Sequence, residues 1–334
     1  MNLDRVRDIL RRCRKQRILV VGDLMLDRYI HGSVSRISPE APVPVVHVDR
    51  ERAVPGGSSN VALNLRALGG GASVCGVIGR DDAGTELTSI LKQSGIRTAG
   101  VTVLQDIPTI VKSRVLADRQ QIVRIDWEKS WSFNRASRAA FARKVDAEVR
   151  KCSGVIIEDY GKGVVQQFVV DTVLKAARRK RIPVGLDPKD NERLRVGGIT
   201  VATPNRKEAF VGAGRDETRP EANPLKDKAL LEVGRILLKR WKPDFLAITL
   251  GPHGMLLVSD KEKPRHVPTR AREVYDVSGA GDTVIATCVL ALASGADHVE
   301  AAEIANYAAG VVVGKLGTAT CTQEELIAYI ASMV

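Results

Sequence analysis

Apolar residues recur along this chain with two periods, and the alternation between them lays out an architecture. Short continuous apolar runs bounded by polar residues or glycine predict buried strands over 17–23, 74–78, 155–157, 184–186, 199–202, 245–250 and 255–258. Between them, apolar residues spaced three and four apart predict helices over 60–68, 85–93, 135–149, 165–179 and 226–240. The C-terminal third adds helices over 282–294, 299–315 and 323–333. At the other end, Val6, Ile9, Leu10 and Cys13 share one face of a surface helix leading into the first strand. Strands alternating with helices predict an α/β fold with a mostly parallel sheet covered on both faces. No internal repeat or low-complexity linker divides the chain, so residues 1–334 are expected to form one domain.

Two segments break the alternation. Within 28–50, the run Ile37-Ser38-Pro39-Glu40-Ala41-Pro42-Val43-Pro44-Val45-Val46 suits exposed, edge-type strands. Within 108–126, Ile110 to Val115 and Ile122 to Ile125 alternate in strand fashion. Together they predict a small sheet projecting from the core, serving as a lid over a cleft, as a homodimer contact, or as both.

Composition narrows the classes. Hydrophobic residues make up 44% and charged residues 27%, as in a soluble globular enzyme, and no apolar run reaches membrane-spanning length. The basic first 17 residues lack the apolar stretch of a signal peptide. The net charge of +12 invites a nucleic-acid partner, but the cations are scattered among 39 acids and aromatics are only 4%. Attraction of small polyanions into a cleft accounts for the charge instead. Five separated cysteines (Cys13, Cys75, Cys152, Cys288, Cys321) form no Cys-x-x-Cys pair, which predicts buried thiols in a reducing cytoplasm.

The most informative stretch is Asp276-Val277-Ser278-Gly279-Ala280-Gly281-Asp282, directly before a small-residue helix. Amides at a helix start point outward, the macrodipole adds positive potential, and glycine lets the backbone approach a ligand. A carboxylate at Asp282 would repel an anion held there unless it had work of its own, such as accepting a proton from an attacking hydroxyl. Phosphoryl transfer needs that combination. An N-cap behind a glycine turn is the plainer alternative.

Other constellations keep two readings each. Gly56-Gly57-Ser58-Ser59-Asn60 is either a backbone-lined pocket, with Asn60 facing a hydroxyl, or a loop ending in a cap. Asp23 and Asp27 flank the end of the first strand, where they grip hydroxyls or cap locally. Asn205 and Glu208 stand one helical turn apart, holding magnesium through water or forming a capping box. Thr249-Leu250-Gly251-Pro252-His253-Gly254 closes a strand with a glycine turn that suits the border of a nucleotide. Lys162 and Lys189 follow strands, reaching a phosphate or simply solvated. The chain has no P-loop, no dinucleotide fingerprint and no Gly-x-Ser-x-Gly elbow, so hydrolase and dehydrogenase readings lack support.

Taken together, these residues closely resemble the ribokinase-like (PfkB-type) sugar kinases, from about residue 17 to the C-terminus. Asp-x-x-Gly-Ala-Gly-Asp at 276–282 resembles that family's C-terminal signature, and Gly56-Gly57-x-x-Asn60-x-Ala62 its N-terminal one. The resemblance implies a three-layer fold with a small β lid, Asp282 as catalytic base, and Gly279, Ala280 and Gly281 as an anion hole. It further implies Asn205 and Glu208 at the magnesium and phosphate motif, and Asp27, Gly56, Gly57 and Asn60 around the acceptor sugar. Thr249, Gly251, Gly254 and Asn306 would line ATP. A monovalent cation is left open by the resemblance.

A narrower likeness runs through Gly22 to Tyr29, Arg36 to Val45, Arg124 to Glu128, Asp159 to Gly163 and Gly317 to Ala319. It is to kinases that phosphorylate the anomeric hydroxyl of D-glycero-β-D-manno-heptose 7-phosphate, on the route to ADP-heptose for lipopolysaccharide. Under that likeness Arg36, Lys162 and Lys189 are candidates for the sugar's existing phosphate. Such kinases are often fused to a nucleotidyltransferase with a His-x-Gly-His motif, which is absent here; a stand-alone kinase or the first half of a fusion is expected. Another sugar kinase of the family, or a sensor that kept the fold, are the alternatives.

Overall fold

The computed structural model describes residues 2–117, 120–189 and 194–333. Its strands are β1 (Arg17–Gly22), β2 (Leu24–Ile37), β3 (Pro44–Gly57), β4 (Gly71–Gly79), β5 (Arg97–Leu104), β6 (Ile110–Ala117), β7 (Gln120–Trp127), β8 (Gly154–Glu158), β9 (Val184–Asp187), β10 (Val201–Ala202), β11 (Phe245–Thr249), β12 (Met255–Val258) and β13 (Arg265–Val267). The large sheet has the order β13-β12-β11-β10-β9-β8-β1-β4-β5. It is parallel from β5 to β11, and β12 and β13 complete it antiparallel.

Strand β1 shows why two helical layers are needed. Ile18, Leu19, Val20 and Val21 are all fully buried, so both faces of the strand are dry. Ile18 and Val20 join the core under α1 (Leu3–Cys13), α2 (Ser58–Ala67) and α3 (Asp82–Gln93). Leu19 and Val21 join the core under α4 (Arg135–Val149), α5 (Gln167–Lys180), α6 (Arg206–Gly212) and α7 (Lys228–Trp241). The first layer also takes in α8 (Ala280–Ala293), α9 (His298–Val313) and α10 (Gln323–Ala331). Among the described residues, no helix is long and apolar enough to cross a membrane.

The second sheet has the order β3-β2-β6-β7 and rises from the end of β1. Only Asp23 separates β1 from β2, whose residues pass from buried at Leu24 to exposed at Ile37. The predicted lid strands are present, but both are longer than expected and the 37–46 run is not one strand. Residues 38–43, with Pro39 and Pro42, form the turn, and Pro44 opens β3. Neither proline has an N–H to give a ladder, so the chain reverses there. The edge strands β5 and β13 were not evident in the sequence because their residues are largely half-exposed and lack a continuous apolar run.

Asp23 locks the lid's root to the neighbouring loop. Its fully buried carboxylate accepts N–H groups from Tyr160 (3.1 Å), Lys162 (3.0 Å) and Val164 (3.0 Å). It therefore shapes the loop after β8 rather than gripping a ligand. Asp23→Ala leaves three amides without an acceptor and is expected to cost about 3 kcal/mol or more, with Asp23→Asn recovering part. Denaturant unfolding checks this; a loss under about 0.5 kcal/mol for the alanine variant would refute it.

Candidate active site

The start of α8 carries the 276–282 motif. Gly279 takes the left-handed conformation (φ 77°), and a Cβ there would lie 2.9 Å from the Asn60 Nδ2. Only glycine permits both. The first-turn amides of α8 have no carbonyl acceptor within their own helix, although Ala280 N–H makes a long bond (3.2 Å) to Val277 O. Asp276 braces the loop, accepting from Ser278 N–H (2.9 Å) and Gly317 N–H (3.0 Å).

Asp282 follows in the first turn, 5% exposed. Asn60 Nδ2 donates to its Oδ2 (2.6 Å) and the Tyr160 hydroxyl donates to its Oδ1 (2.7 Å). Burial pushes its pKa up to about 6; the two donors oppose this, and the charge of Asp27 adds to it. At the next residue, Thr283 Oγ1 donates to Asn64 Oδ1 (2.8 Å), so α2 and α8 are tied twice. The motif acid is thus a buried carboxyl group held by side-chain donors, and the plainer N-cap role belongs to Gly279. Such a group can take a proton near neutral pH.

Behind it lie two more acids. One oxygen each from Glu158, Asp187 and Asp282 fall within 4.8 Å of one another. Burial, then the neighbouring carboxylates, raise Glu158 and Asp187 well above the usual range. Thr203 Oγ1 donates to Asp187 Oδ1 (2.9 Å), whereas Glu158 Oε2 is buried without a partner. An all-oxygen set with an orphaned buried oxygen fits a hard divalent cation. Glu208 lies close enough for its charge to act on Asp187. Asn205 and Glu208 do form the capping box: Asn205 N–H donates to Glu208 Oε2 (2.9 Å) and Glu208 N–H to Asn205 Oδ1 (2.9 Å). Glu208 Oε1 sits 3.5 Å from Lys189 Nζ, which places Lys189 beside this acidic group.

Under the lid, Asp27 is buried and bound by Arg114 Nη1 (2.6 Å). A Cβ on Gly56 would strike Asp27 Oδ2, and Gly57 turns the chain into α2 at φ 54°. Lys162 Nζ pairs with Glu128 (2.7 Å) below the end of β7. Arg36 is a correction: it lies nine residues beyond Asp27 on β2, on the order of 30 Å along the strand. The structure does not bring it to this site of its own chain. A cleft of about 630 Å³ opens beside Asn60, bordered by Arg52, Val54, Thr318 and Thr320.

On the other side of α8, Thr249 ends β11 and bridges to Asn205. Gly251 and Gly254 both have positive φ, and a Cβ on Gly254 would meet Val267 O at 2.1 Å. The buried Asn306 donates one amide N–H to Pro268 O (2.6 Å), which braces the segment before the motif. The exposed apolar side chains of Val274, Tyr275, Val277 and Leu316 gather around that segment.

Sequence reading missed Tyr160, Glu158, Asp187, Lys112 and Arg114. Asp187 carried a signal, an acid before Pro188 at a strand end. The others sit in ordinary strand or loop contexts and acquire meaning only from what the fold sets opposite them.

The family model for pfkB family carbohydrate kinases matches residues 15–325. Bifunctional protein HldE of Ectopseudomonas mendocina is 45% identical over 311 residues, 92% of this chain and 62% of that protein. Its namesake in Pseudomonas aeruginosa strain LESB58 is 45% identical over 309 residues, with the same shares covered. The chain thus spans 62% of the length of these curated relatives. Among solved structures, Arabidopsis thaliana ribokinase complexed with ribose and ATP superposes with a TM-score of 0.69 at 21% identity, covering 94% of this chain and 98% of that one. Escherichia coli phosphofructokinase-2 in complex with potassium gives 0.75 at 21% identity, covering 95% and 99%. The fold is therefore ribokinase-like, and the chain belongs to the pfkB family of carbohydrate kinases.

Proposed function

We propose that this chain transfers the γ-phosphoryl group of ATP to the anomeric hydroxyl of D-glycero-β-D-manno-heptose 7-phosphate, giving the 1,7-bisphosphate and ADP. The observation that carries the reading is the Asp282 carboxylate, buried, raised to about 6 and set in the first turn of a helix whose outward amides can hold a phosphoryl group. The 45% identity to bifunctional HldE proteins supports the choice of substrate.

The sugar oxygen attacks phosphorus in line as its proton passes to Asp282, and the bond to the bridging oxygen of ADP breaks. Amides of Gly279, Ala280 and Gly281 face the charge that develops on the phosphoryl oxygens. Asn60 and Tyr160 hold the acceptor carboxylate in place, and Asp27 receives the sugar hydroxyls. Magnesium, held by Glu208 and Asp187, would neutralise phosphate charge. The exposed apolar group at Val274, Val277 and Leu316 suits an adenine face. Lid closure from β2, β3, β6 and β7 excludes water and so limits ATP hydrolysis. Register sets Val123, Ile125 and Trp127 on the face of β7 opposite Arg124 and Asp126, all three of them exposed. That apolar stripe suits a second copy of the chain, consistent with a homodimer.

Asp282→Asn keeps the hydrogen-bond geometry but removes the base, so kcat falls about 10²- to 10⁴-fold while nucleotide binding persists. Near-normal ADP release would remove the assignment. Since the base works only when ionised, kcat/KM should fall as pH drops through about 6. Tyr160→Phe removes a donor that favours the carboxylate, which moves this acidic limb to higher pH. A limb left in place by that substitution contradicts the role given to Tyr160. In a panel of sugars and sugar phosphates with ATP, heptose 7-phosphate should lead by kcat/KM; a free pentose or hexose ahead of it would overturn the substrate.

A further inference from the structure

The lid's inner face is charged, and its charges do not balance. Strand register sets Asp27 beside Lys112 and Tyr29 beside Arg114, then Lys112 beside Asp126 and Arg114 beside Arg124. These side chains share one face because registered neighbours in a sheet project to the same side. Arg114 bonds Asp27 (2.6 Å) and lies over the Tyr29 ring, 5.4 Å from its centroid. Arg124 bonds Asp126 twice (2.9 and 3.0 Å). Lys162, from the loop beneath, bonds Glu128 (2.7 Å). Each of these three cations has its own carboxylate. Lys112, half-buried in their midst, makes no hydrogen bond or ion pair among the described residues.

We propose that Lys112 is the specificity residue for a phosphorylated acceptor, holding the phosphate that the sugar already carries, with Lys162 beside it. The inference rests on the sugar-phosphate kinase reading above and adds the group that enforces it. Its registered neighbours Asp27 and Asp126 are already bonded by Arg114 and Arg124, so the half-buried ammonium shares its counter-charge, and a phosphate dianion would supply one of its own. Burial, then the nearby Lys162 charge, lowers the Lys112 pKa, and the charges of Asp27 and Asp126 offset this only in part. Placement fits as well. Lys112 neighbours Asp27 in register, and Asp27 is close enough to Asp282 for its charge to act there. The base, the hydroxyl-binding acid and the surplus cation therefore follow one another along the floor and inner face of the lid. An acceptor with its reacting hydroxyl at Asp282 and its far end at Lys112 fits that order. A neutral sugar would leave Lys112 unsatisfied, so discrimination comes from the empty counter-ion position as well as from attraction.

The test compares Lys112→Met and Lys112→Arg with the parent chain, using heptose 7-phosphate and the unphosphorylated heptose as acceptors. Lys112→Met should raise KM for heptose 7-phosphate about 10- to 100-fold, the loss of one charge-assisted bond, with kcat and KM for ATP nearly unchanged. Its kcat/KM for the unphosphorylated heptose should stay within about twofold, and Lys112→Arg should restore most of the preference. Calorimetric titration of heptose 7-phosphate without ATP should show the same loss of affinity. Equal effects on both acceptors, or none on either, would overturn the assignment of Lys112. If the parent chain turned over no sugar phosphate, the function proposed above would fail, while the titration would still decide whether Lys112 binds the phosphate.

Discussion

Three segments far apart in sequence meet at one carboxylate. Asp282 at the tip of α8 receives hydrogen bonds from Asn60 at the start of α2 and from Tyr160 in the loop after β8. The rest of the site is arranged so that this meeting can occur. Gly279 is needed because Asn60 passes too close for a side chain. Gly22 is needed because a Cβ there would meet Glu158 O at 2.0 Å, and β1 must run tight against β8 for Asp23 to reach the loop that presents Tyr160. Asn64, one turn on along α2, and Thr283, the next residue of α8, add a second tie between the two helices. A base held by neutral donors keeps its proton affinity near neutrality; a lysine or arginine partner would have lowered it out of range.

Electrostatics at the site run in opposite directions on its two sides. The ends of β8 and β9 contribute the buried Glu158 and the half-buried Asp187, next to Asp282 and both with raised pKa. The amides of the α8 first turn stand beside these acids, and the cations of the small sheet lie beyond Asp27. Neither side is comfortable alone. Clustered carboxylates in a dry place need a cation or protons, and clustered ammonium and guanidinium groups need anions. A phosphate-rich ligand accompanied by a divalent ion satisfies both at once, which is why ligand binding and lid position belong to one equilibrium in such an arrangement.

The sequence carried a good deal of this. Continuous apolar runs in β1, β4 and β8 announce a sheet buried on both faces, because no other setting tolerates Ile18, Leu19, Val20 and Val21 in succession. The glycine-acid spacing at 276–282 announced the helix tip, since the backbone dictates that chemistry locally. What escaped was everything set by cross-chain register. Lys112 and Arg114 look like solvent-facing residues of an alternating strand, and only the pairing of β6 with β2 shows them turned toward Asp27. Tyr160 reads as an ordinary loop aromatic until Asp23 folds its segment toward α8. Glu208 and Asn306 carry contacts that the sequence does not reveal: each bonds main chain, Glu208 in the capping box and Asn306 at Pro268. Capping boxes and metal motifs draw on the same residue types, so composition cannot separate them.

The lid is the part least able to stand by itself. Its strands rise from the core with no helical layer of their own, and their tips expose Ile37, Val43 and Val48 to solvent. On β7 the register divides the strand cleanly, with Arg124 and Asp126 on one face and Val123, Ile125 and Trp127 on the other. A sheet with a charged inner face and an apolar outer one is stable when both faces are occupied. Its inner face would suit a small anion, and the exposed apolar stripe of β7 would suit an apolar partner surface.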